Sequence, residues 1–467
     1  MELDILYVKP WQPDRAFGVN SGEEICWRLP PSKSHLIRWL LLGSQTQPPS
    51  RILDAGVGAG VILKGVAGAG RDVSAMKDCL QTLGVEIISI DVDTWQISGK
   101  GQHGFCQPGE PLNCLNSGTT LRLITGLCAR IDGEVEIDGD SSLRKRANDA
   151  LIPAISEAGV KIDFLQNANE LPIKLTGPWE PKVFSLDLSA SGQPLSALRL
   201  AVIGAPNPIK INLHGNRVSR KHILLSDKLA RATGSLDRLD LPAIEGDAIV
   251  LHPWQPVIDE AVNIPGDASM LSFAMLFSAL HGVGLRVEKW PERDDSLGNE
   301  ILLDFAGELR VEILEEMGAG VVNIHPVKRT EDDNIPISAC EVIDLTDAND
   351  LISPIAAMLA IGAGGSICGV SHAQWKESNR ISKTIELLAA FSISATYVDG
   401  VMTVDGGQVP LPPAELVRTY LDHRLQMTAV ILASKVGGKV QGRDLHEVSY
   451  FGLLDELQAI GIEISSP

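Results

Sequence analysis

The sequence predicts an α/β protein of two domains, each built from three repeated units. The chain has 467 residues, which is long for one hydrophobic core and favours two domains. A helical segment, a glycine and an alternating strand recur at intervals of roughly 70 to 85 residues, longer than a solenoid repeat. Each copy therefore corresponds to a supersecondary unit of several strands and helices.

The glycine of each copy is the residue expected where a helix ends and the chain turns straight back into a strand. The copies centre on Gly84, Gly159, Gly234, Gly318, Ser392 and Gly461, with the serine in the glycine position. Around Gly318, the segment ILEEMGAGVV predicts a helix followed by a strand. One such copy is common in α/β proteins, but six at similar intervals indicate internal repetition, and three per domain is the economical arrangement.

Composition and charge narrow the function classes. The net charge of −19 argues against a general nucleic-acid binder and against binding to anionic membranes. The seven cysteines are scattered without a CxxC pair, which favours reduced thiols and suggests no zinc site. The N-terminus has no signal-peptide pattern, and the apolar stretches are too short or too glycine-rich to span a bilayer. We expect a cytoplasmic protein.

The first candidate site lies at a helix start near residue 33. The alternating run 25–28 predicts a strand, two prolines end it, and an apolar-rich helix follows. Ser32, Lys33 and Ser34 therefore stand at a helix N-terminus, with Arg38 one turn after Ser34. Free N–H groups, the helix dipole and an ammonium together favour an anion. The alternative is an ordinary serine-capped helix with a solvated lysine.

Three further segments of the N-terminal half place small polar or basic residues before helices. Asn116 to Thr120 precede a helix and include Gly118, which lets a ligand approach the backbone. The run 139–146 ends in three cations, the last being Arg146, and would ordinarily be a solvated surface. The segment 189–193 offers hydroxyl and amide groups.

The C-terminal half repeats this arrangement. Asp350 opens an apolar helical segment and would ordinarily be an N-cap. Lys376 and Arg380 are spaced one helical turn apart, which predicts that they share a helix face. Asp422 and Arg424 lead into another apolar helix. Few folds need cationic or small polar residues at so many helix starts unless those starts converge.

The motifs occur in the order seen in one enzyme family. They are PPSKSHLIR, NSGTTLR, GDSSLRKR, SASGQ, PGDAS, KESNR and LDHR. Each is weak alone, but over nearly the whole chain the ordered set resembles the 5-enolpyruvylshikimate-3-phosphate (EPSP) synthases. The resemblance implies a two-domain inside-out α/β barrel with three βαβαββ repeats per domain and an active site in the interdomain cleft. It places residues 30–264 in one domain and residues 1–29 with 265–467 in the other.

The resemblance also implies a reaction. The family transfers the enolpyruvyl group of phosphoenolpyruvate to the 5-hydroxyl of shikimate 3-phosphate and releases phosphate, with no metal or organic cofactor. These two small molecules are the expected partners of a monomer. By position in the motifs, the residues for phosphoenolpyruvate would be Lys33, Gly118, Arg146, Arg380 and Arg424. Those for shikimate 3-phosphate would be Ser34, Arg38, Ser191, Gln193, Ser219, Asp350 and Lys376.

The catalytic residues implied by the resemblance are Lys33, Asp350 and Glu377. Asp350 would lie beside the attacking hydroxyl, and Glu377 would donate and accept the proton at the methyl carbon. Lys33 would stabilise developing oxygen charge.

The chain departs from the family pattern at several positions. Val448 stands where a lysine is expected, and Lys435 or Lys439 are candidate substitutes. The other departures are Gly192, His222 and His372 on the acceptor side, Asn379 within the KESNR box, and Pro265 at the domain crossover.

These departures leave alternatives open. One is a paralogous transferase that acts on a different cyclic alcohol. Another is an anion-binding homologue without turnover, an idea that Val448 supports and the retained Asp350 and Glu377 oppose. The related transferase of UDP-N-acetylglucosamine carries a cysteine in the loop matching GDSSLRKR, which has none here.

Overall fold

The computed structural model describes residues 4–12, 25–48, 60–146, 150–180, 183–239, 248–316, 318–327 and 342–466. The chain folds into two compact units. The first consists of Met1–Pro30 with Gly266–Pro467, and the second of Pro31–Pro265. We call them the discontinuous unit and the inserted unit.

The helices and strands of the described residues follow in chain order. The strands are β1 (Ile5–Val8), β2 (Ile25–Arg28), β3 (Val61–Lys64), β4 (Glu86–Asp91), β5 (Thr94–Ser98), β6 (Leu112–Asn113), β7 (Gly133–Asp138), β8 (Lys161–Phe164), β9 (Ile173–Gly177), β10 (Val183–Asp187), β11 (Ile209–His214), β12 (Ala248–Leu251), β13 (Val262–Asn263), β14 (Leu285–Glu288), β15 (Val311–Glu316), β16 (Val321–Pro326), β17 (Val342–Asp344), β18 (Gly364–Cys368), β19 (Ala395–Val398), β20 (Val401–Asp405), β21 (Gly438–Gln441) and β22 (Ile464–Ser465). The helices are α1 (Lys33–Ser44), α2 (Arg71–Thr82), α3 (Gly118–Cys128), α4 (Leu151–Glu157), α5 (Gln193–Ala201), α6 (Arg220–Ala232), α7 (Leu271–His281), α8 (Ile301–Asp304), α9 (Ile352–Ile361), α10 (Arg380–Ala390), α11 (His423–Val436) and α12 (Leu453–Ala459).

Within the described residues, each unit contains three small sheets, and the four-stranded sheets share one topology. In the inserted unit the strand orders are β13-β3-β5-β4, β6-β7-β9-β8 and β10-β11-β12. In the discontinuous unit they are β2-β14-β16-β15, β17-β18-β20-β19 and β21-β1-β22. In the four-stranded sheets the first pair is parallel and the other two are antiparallel. The same mixed order in successive sheets is the structural form of the repetition predicted from the sequence.

Five of the described helices end in the same way. The second residue after each of these helices has a left-handed backbone, with φ of +89° at Gly84, +96° at Gly159, +105° at Gly234, +61° at Ser392 and +92° at Gly461. At each, the following N–H reaches back five residues to a helix carbonyl, as Val85 does to Leu80 at 3.0 Å. This is the Schellman ending that the glycine pattern predicted, and Ser392 adopts it despite its Cβ.

One predicted helix is wrong. The segment before Gly318 forms strand β15, and its partner β16 follows the turn. The alternating VEILEE favours a strand because Val311 is buried and Ile313 pairs with Ile324. The helix of this region, α8, ends earlier at Asp304, and the chain has a left-handed residue at Arg310, directly before β15. The strand predicted directly after Gly234 is also not formed by residues 235–239, and residues 240–247 lie outside the described part of the chain.

The core of each unit consists largely of buried helices. In the discontinuous unit α7, α9 and α11 pack on one another, and Phe277 lies 5.9 Å from Trp27 of β2 between ring centroids. In the inserted unit α3 packs closely on α5, since a methyl group placed on Gly126 would lie 3.1 Å from the Ala197 carbonyl oxygen. Helices buried on most sides have their ends held in fixed positions, which is what a site built from helix starts requires.

A buried carboxyl group makes the discontinuous unit sensitive to pH. The Tyr450 hydroxyl lies 2.6 Å from Glu456 Oε2 and 2.8 Å from the Arg28 carbonyl oxygen. One hydroxyl hydrogen can serve only one acceptor, so both contacts are satisfied together when Glu456 is protonated and donates to Tyr450. Burial raises the pKa of Glu456 to about 7, against the opposing effects of Tyr450 and Arg28, while Asp455 adds to the rise.

We therefore expect stability to fall as the pH rises. The folded-state pKa of Glu456 exceeds its ordinary value of 4.5, so its contribution is complete below about pH 4.5 and is lost as the pH passes 7. Glu456→Gln remains neutral and should gain stability over the wild type between pH 5 and pH 8, by on the order of 3 kcal/mol at most. Urea unfolding of both proteins at the two pH values measures this difference, and a gap that does not change with pH would contradict it.

Candidate functional site

Lys33 begins helix α1 and is paired with an acid from the next helix. Its Nζ lies 2.9 Å from Asp72 Oδ2, with the two side chains 16% and 7% exposed. Asp72 is in the first turn of α2, and its carbonyl accepts a hydrogen bond from Thr120 Oγ1 at 3.1 Å. The starts of α1, α2 and α3 are thus joined by direct contacts.

Gly118 begins helix α3 between two guanidinium groups. A methyl group placed there would lie 2.9 Å from Arg122 Nη1 and 3.6 Å from Arg146 Nη1. Arg146 is held in place because its Nη1 donates to the Asn116 carbonyl at 3.1 Å and its Nη2 donates to the Asn116 side chain. The backbone of Gly118 therefore lies in a strongly positive environment at a helix N-terminus.

The start of α5 adjoins the start of α3. Gln193 accepts from Arg122 Nη1 at 3.0 Å and donates to Thr119 Oγ1 at 2.9 Å. Its backbone N–H donates to Ser191 Oγ at 3.2 Å. This network places the predicted amide and hydroxyl groups beside the cations around Gly118.

Ser219 precedes helix α6 and lies beside Gly192. A methyl group on Gly192 would be 3.2 Å from the Ser219 carbonyl and 2.8 Å from Ile223 Cγ1. A serine at this position would need Ile223 to shift, which gives a physical reason for the glycine. We call the predicted residues of the inserted unit, together with their contacts, the Lys33 group: Lys33, Ser34, Arg38, Asp72, Asn116, Gly118, Arg122, Arg146, Ser191, Gln193 and Ser219.

Arg38 is the most deeply buried cation of the Lys33 group. Its guanidinium is completely buried and donates to the Ser34 carbonyl at 2.9 Å, to Ser226 Oγ at 2.8 Å and to the His222 carbonyl at 3.2 Å. Burial lowers the pKa of Arg38 to about 10. In this structure Arg38 ties α1 to α6, and its contact with a substrate phosphate stays a prediction.

A second cluster lies in the discontinuous unit around Arg380, the first residue of α10. Its Nη1 is 2.6 Å from Asp350 Oδ1, its Nη2 is 2.6 Å from Glu377 Oε2, and its Nε is 3.0 Å from Asp422 Oδ2. Arg424 Nη2 lies 3.2 Å from the other oxygen of Asp350. We call Asp350, Glu377, Arg380, Asp422 and Arg424 the Arg380 group.

The Arg380 group places three carboxylates around two guanidinium groups. Burial by itself would lower the pKa of Arg380, but the carboxylates of Asp422, Glu377 and Asp350 outweigh it and raise the pKa. Both arginine side chains are 1% exposed, whereas Asp350 is 36% exposed. Asp350 is therefore the member of the Arg380 group most exposed to solvent.

Two sequence predictions about this group are wrong in detail. Lys376 and Arg380 do not share a helix face, because α10 begins only at Arg380, where Asn379 caps it by accepting from the Ser382 N–H at 3.2 Å. Lys376 instead follows the 3-10 turn Ser371–Trp375. Asp350 is not an N-cap, since it lies within the 3-10 turn Asn349–Leu351 that precedes α9.

Sequence reasoning missed several residues of both groups. Asp422 completes the charge balance of Arg380, and Ser269 Oγ accepts from Arg424 Nη1 at 2.9 Å. The motifs LDHR and PGDAS contained these two residues, so a signal existed. Asp72 lay in no motif, and only its place in the first turn of a helix could have suggested it.

The two candidate substitutes for the missing family lysine are both exposed to solvent. Lys435 is in the last turn of α11, roughly 16 Å along the helix axis from Arg424. Lys439 on β21 has its Nζ 5.6 Å from the centre of the Tyr7 ring. Val448 itself ends the 3-10 turn Leu445–Val448 and is half-buried.

None of the helices within the described residues has the length and apolarity needed to span a bilayer. Across the same ranges, three or more His, Cys, Asp or Glu side chains are nowhere grouped as a metal site. The described cysteines are free thiols, and Cys340 lies outside the described residues.

Comparison with known proteins gives a family match over most of the chain. Residues 28–457 match the family model of EPSP synthase (3-phosphoshikimate 1-carboxyvinyltransferase). A 3-phosphoshikimate 1-carboxyvinyltransferase from Methanocorpusculum labreanum is 28% identical over 94% of this chain and 96% of its own length. One from Dehalococcoides mccartyi is 29% identical, with 88% of this chain and 89% of the relative covered.

Solved structures confirm the predicted fold class. An EPSP synthase from Acinetobacter baumannii superposes with a TM-score of 0.71 at 21% identity, covering 99% of this chain and 100% of that chain. The enolpyruvyl transferase NikO from Streptomyces tendae gives a TM-score of 0.72 at 14% identity, covering 100% and 99%. Both have the two-domain inside-out α/β fold.

Proposed function

Since the chain belongs to the EPSP synthase family, we propose that it transfers the enolpyruvyl group of phosphoenolpyruvate to the 5-hydroxyl of shikimate 3-phosphate and releases phosphate. We further propose that the discontinuous and inserted units are the two domains of the family. The Lys33 group and the Arg380 group would then act on the same two substrates.

The Arg380 group is the observation that carries the proposal. It combines two buried guanidinium groups with three carboxylates, of which Asp350 and Glu377 contact different nitrogens of Arg380 and are partly exposed. Anion binding alone needs the cations but gives no reason for two acids among them. Acid–base chemistry on an anionic substrate needs both.

The proposed substrate contacts come from both the Lys33 group and the Arg380 group. Lys33, Arg146, Arg380 and Arg424, with the backbone at Gly118, would bind phosphoenolpyruvate. The residues that would bind shikimate 3-phosphate are Ser34, Arg38, Ser191, Gln193, Ser219, Asp350 and Lys376. Support comes from the hydrogen-bonded contacts at the starts of α1, α3 and α5, which hold hydroxyl, amide and cationic groups ready for anions.

The proposed mechanism is addition followed by elimination. The acceptor hydroxyl attacks C2 of phosphoenolpyruvate while C3 gains a proton from Glu377, and Asp350 takes the hydroxyl proton. The tetrahedral intermediate then returns a proton from C3 to Glu377 and loses phosphate, which takes the proton that Asp350 received from the hydroxyl. Lys33 and the arginines would stabilise the charge that develops on oxygen.

The relatives named above do not favour the alternatives of a different cyclic alcohol acceptor or a protein without turnover. The cytoplasmic location, the monomeric state and the lack of nucleic-acid and membrane partners stay predictions.

A direct assay tests the proposal. Purified protein is incubated with phosphoenolpyruvate and shikimate 3-phosphate, and both phosphate release and product mass are followed. We expect phosphate release only when both substrates are present, and a product heavier than shikimate 3-phosphate by one enolpyruvyl group less one hydrogen. Omission of each substrate and the variant Glu377→Gln serve as controls. Release with another alcohol but not with shikimate 3-phosphate would contradict the acceptor, and binding without release would contradict the reaction.

A further inference from the structure

His372 and Asn349 connect the two segments that supply the carboxylates of the Arg380 group. Asn349 immediately precedes Asp350 in a 3-10 turn after β17, and His372 lies in the turn after β18 that leads to Lys376 and Glu377. The Asn349 Nδ2 group lies within hydrogen-bond distance of His372 Nε2. Both side chains are buried, with residue exposures of 4% and 5%.

This contact determines which nitrogen of the imidazole carries the proton. The amide nitrogen of Asn349 can only donate, so His372 Nε2 must accept, and the ring is neutral with its proton on Nδ1. Burial, with a smaller contribution from the charge of Lys376, lowers the pKa of His372 to about 4. Asp347, Asp350 and Asp344 act in the opposite direction but do not outweigh these effects. The ring is therefore a hydrogen-bond acceptor throughout the neutral pH range.

From this geometry we propose that His372 is a positioning residue, which holds Asp350 in place through its hydrogen bond with Asn349. Asp350 must bridge Arg380 at 2.6 Å and Arg424 at 3.2 Å with its two oxygens, which demands a defined carboxylate orientation. Its backbone is in a short 3-10 turn, which has poorer hydrogen-bond geometry than an α-helix. The Asn349–His372 bond braces that turn against the segment carrying Glu377, so the separation of the two carboxylates is set by this pair.

Three substitutions, two at His372 and one at Asn349, separate the hydrogen bond from packing. His372→Gln can present an acceptor oxygen to Asn349, whereas His372→Phe keeps a ring without an acceptor. Asn349→Leu removes the donor. We expect His372→Phe and Asn349→Leu each to lower kcat about tenfold, as loss of one hydrogen bond would, with a smaller change in KM for phosphoenolpyruvate. The double variant should be no worse than either single variant, and His372→Gln should recover most of the rate.

The kinetic measurements rest on the proposed function. A second test therefore uses readouts that do not depend on activity. Crystal structures of His372→Phe and His372→Gln should show the Asp350 carboxylate displaced from Arg424 in the first and retained in the second. Nitrogen NMR of labelled His372 at pH 7 should report a neutral ring protonated on Nδ1. An unmoved Asp350 in His372→Phe, a ring protonated on Nε2, or additive kinetic effects would each overturn the positioning role. A wild-type protein without turnover would instead reject the proposed function and leave the structural arm to decide this inference.

Discussion

Replacing Lys33 by alanine is expected to lower kcat/KM for phosphoenolpyruvate by about a hundredfold or more, as loss of a preorganised charge partner does. Lys33 and Asp72 form a pair 2.9 Å apart, and both are largely shielded from water. Without the ammonium, the Asp72 carboxylate would remain where an anionic substrate is proposed to bind. Repulsion is then added to the loss of attraction, and Arg146→Ala should have a loss of similar size. Steady-state kinetics with varied phosphoenolpyruvate measures both effects.

Two control variants make the test specific. In Lys33→Ala/Asp72→Asn the negative charge is also removed, so part of the lost kcat/KM should return. Lys435→Ala removes a lysine at the far end of α11 and should leave turnover near the wild-type value. Near-normal turnover in both Lys33→Ala and Arg146→Ala would remove these residues from the site.

Replacing Asp422 by asparagine is expected to destabilise the protein by about 3 kcal/mol, the lower end of the cost of breaking a buried ion pair, because Arg380 keeps Asp350 and Glu377 as partners. Asp422 is completely buried and bonds Arg380 through both carboxylate oxygens, at 3.0 and 3.3 Å. It also caps α11 by accepting the Arg424 N–H at 2.9 Å, a role that asparagine can keep. The substitution therefore keeps the cap but removes the charge and one acceptor oxygen facing Arg380 Nε, and urea unfolding measures the loss.

An exposed ion pair provides the matched control. Lys9 and Glu463 are 70% and 54% exposed, so Glu463→Gln should cost under about 1 kcal/mol. If Asp422→Asn is no less stable than Glu463→Gln, Arg380 does not depend on Asp422 for its place in the buried cluster.

The predictions from sequence succeeded where the signal is local. Hydrophobic periodicity and prolines located the start of α1 within Ser32–Ser34, and glycine located four helix endings. The prediction failed at Gly318, where a glycine in a hairpin resembled a helix ending and the left-handed residue before the strand is Arg310. A non-glycine residue can adopt a left-handed backbone when the surrounding packing compensates its strain, and no local pattern reports that packing.

The sequence by itself determined the α/β class, the repetition and the identity of most residues at the helix starts, because these depend on spacing along the chain. Only the tertiary structure decided which side chains pair: Lys33 with Asp72, Arg380 with Asp422, and Asn349 with His372. These partners are separated in sequence by tens of residues. Contacts over such separations depend on how helices and sheets pack, and that information is spread over the whole core rather than held in any one motif.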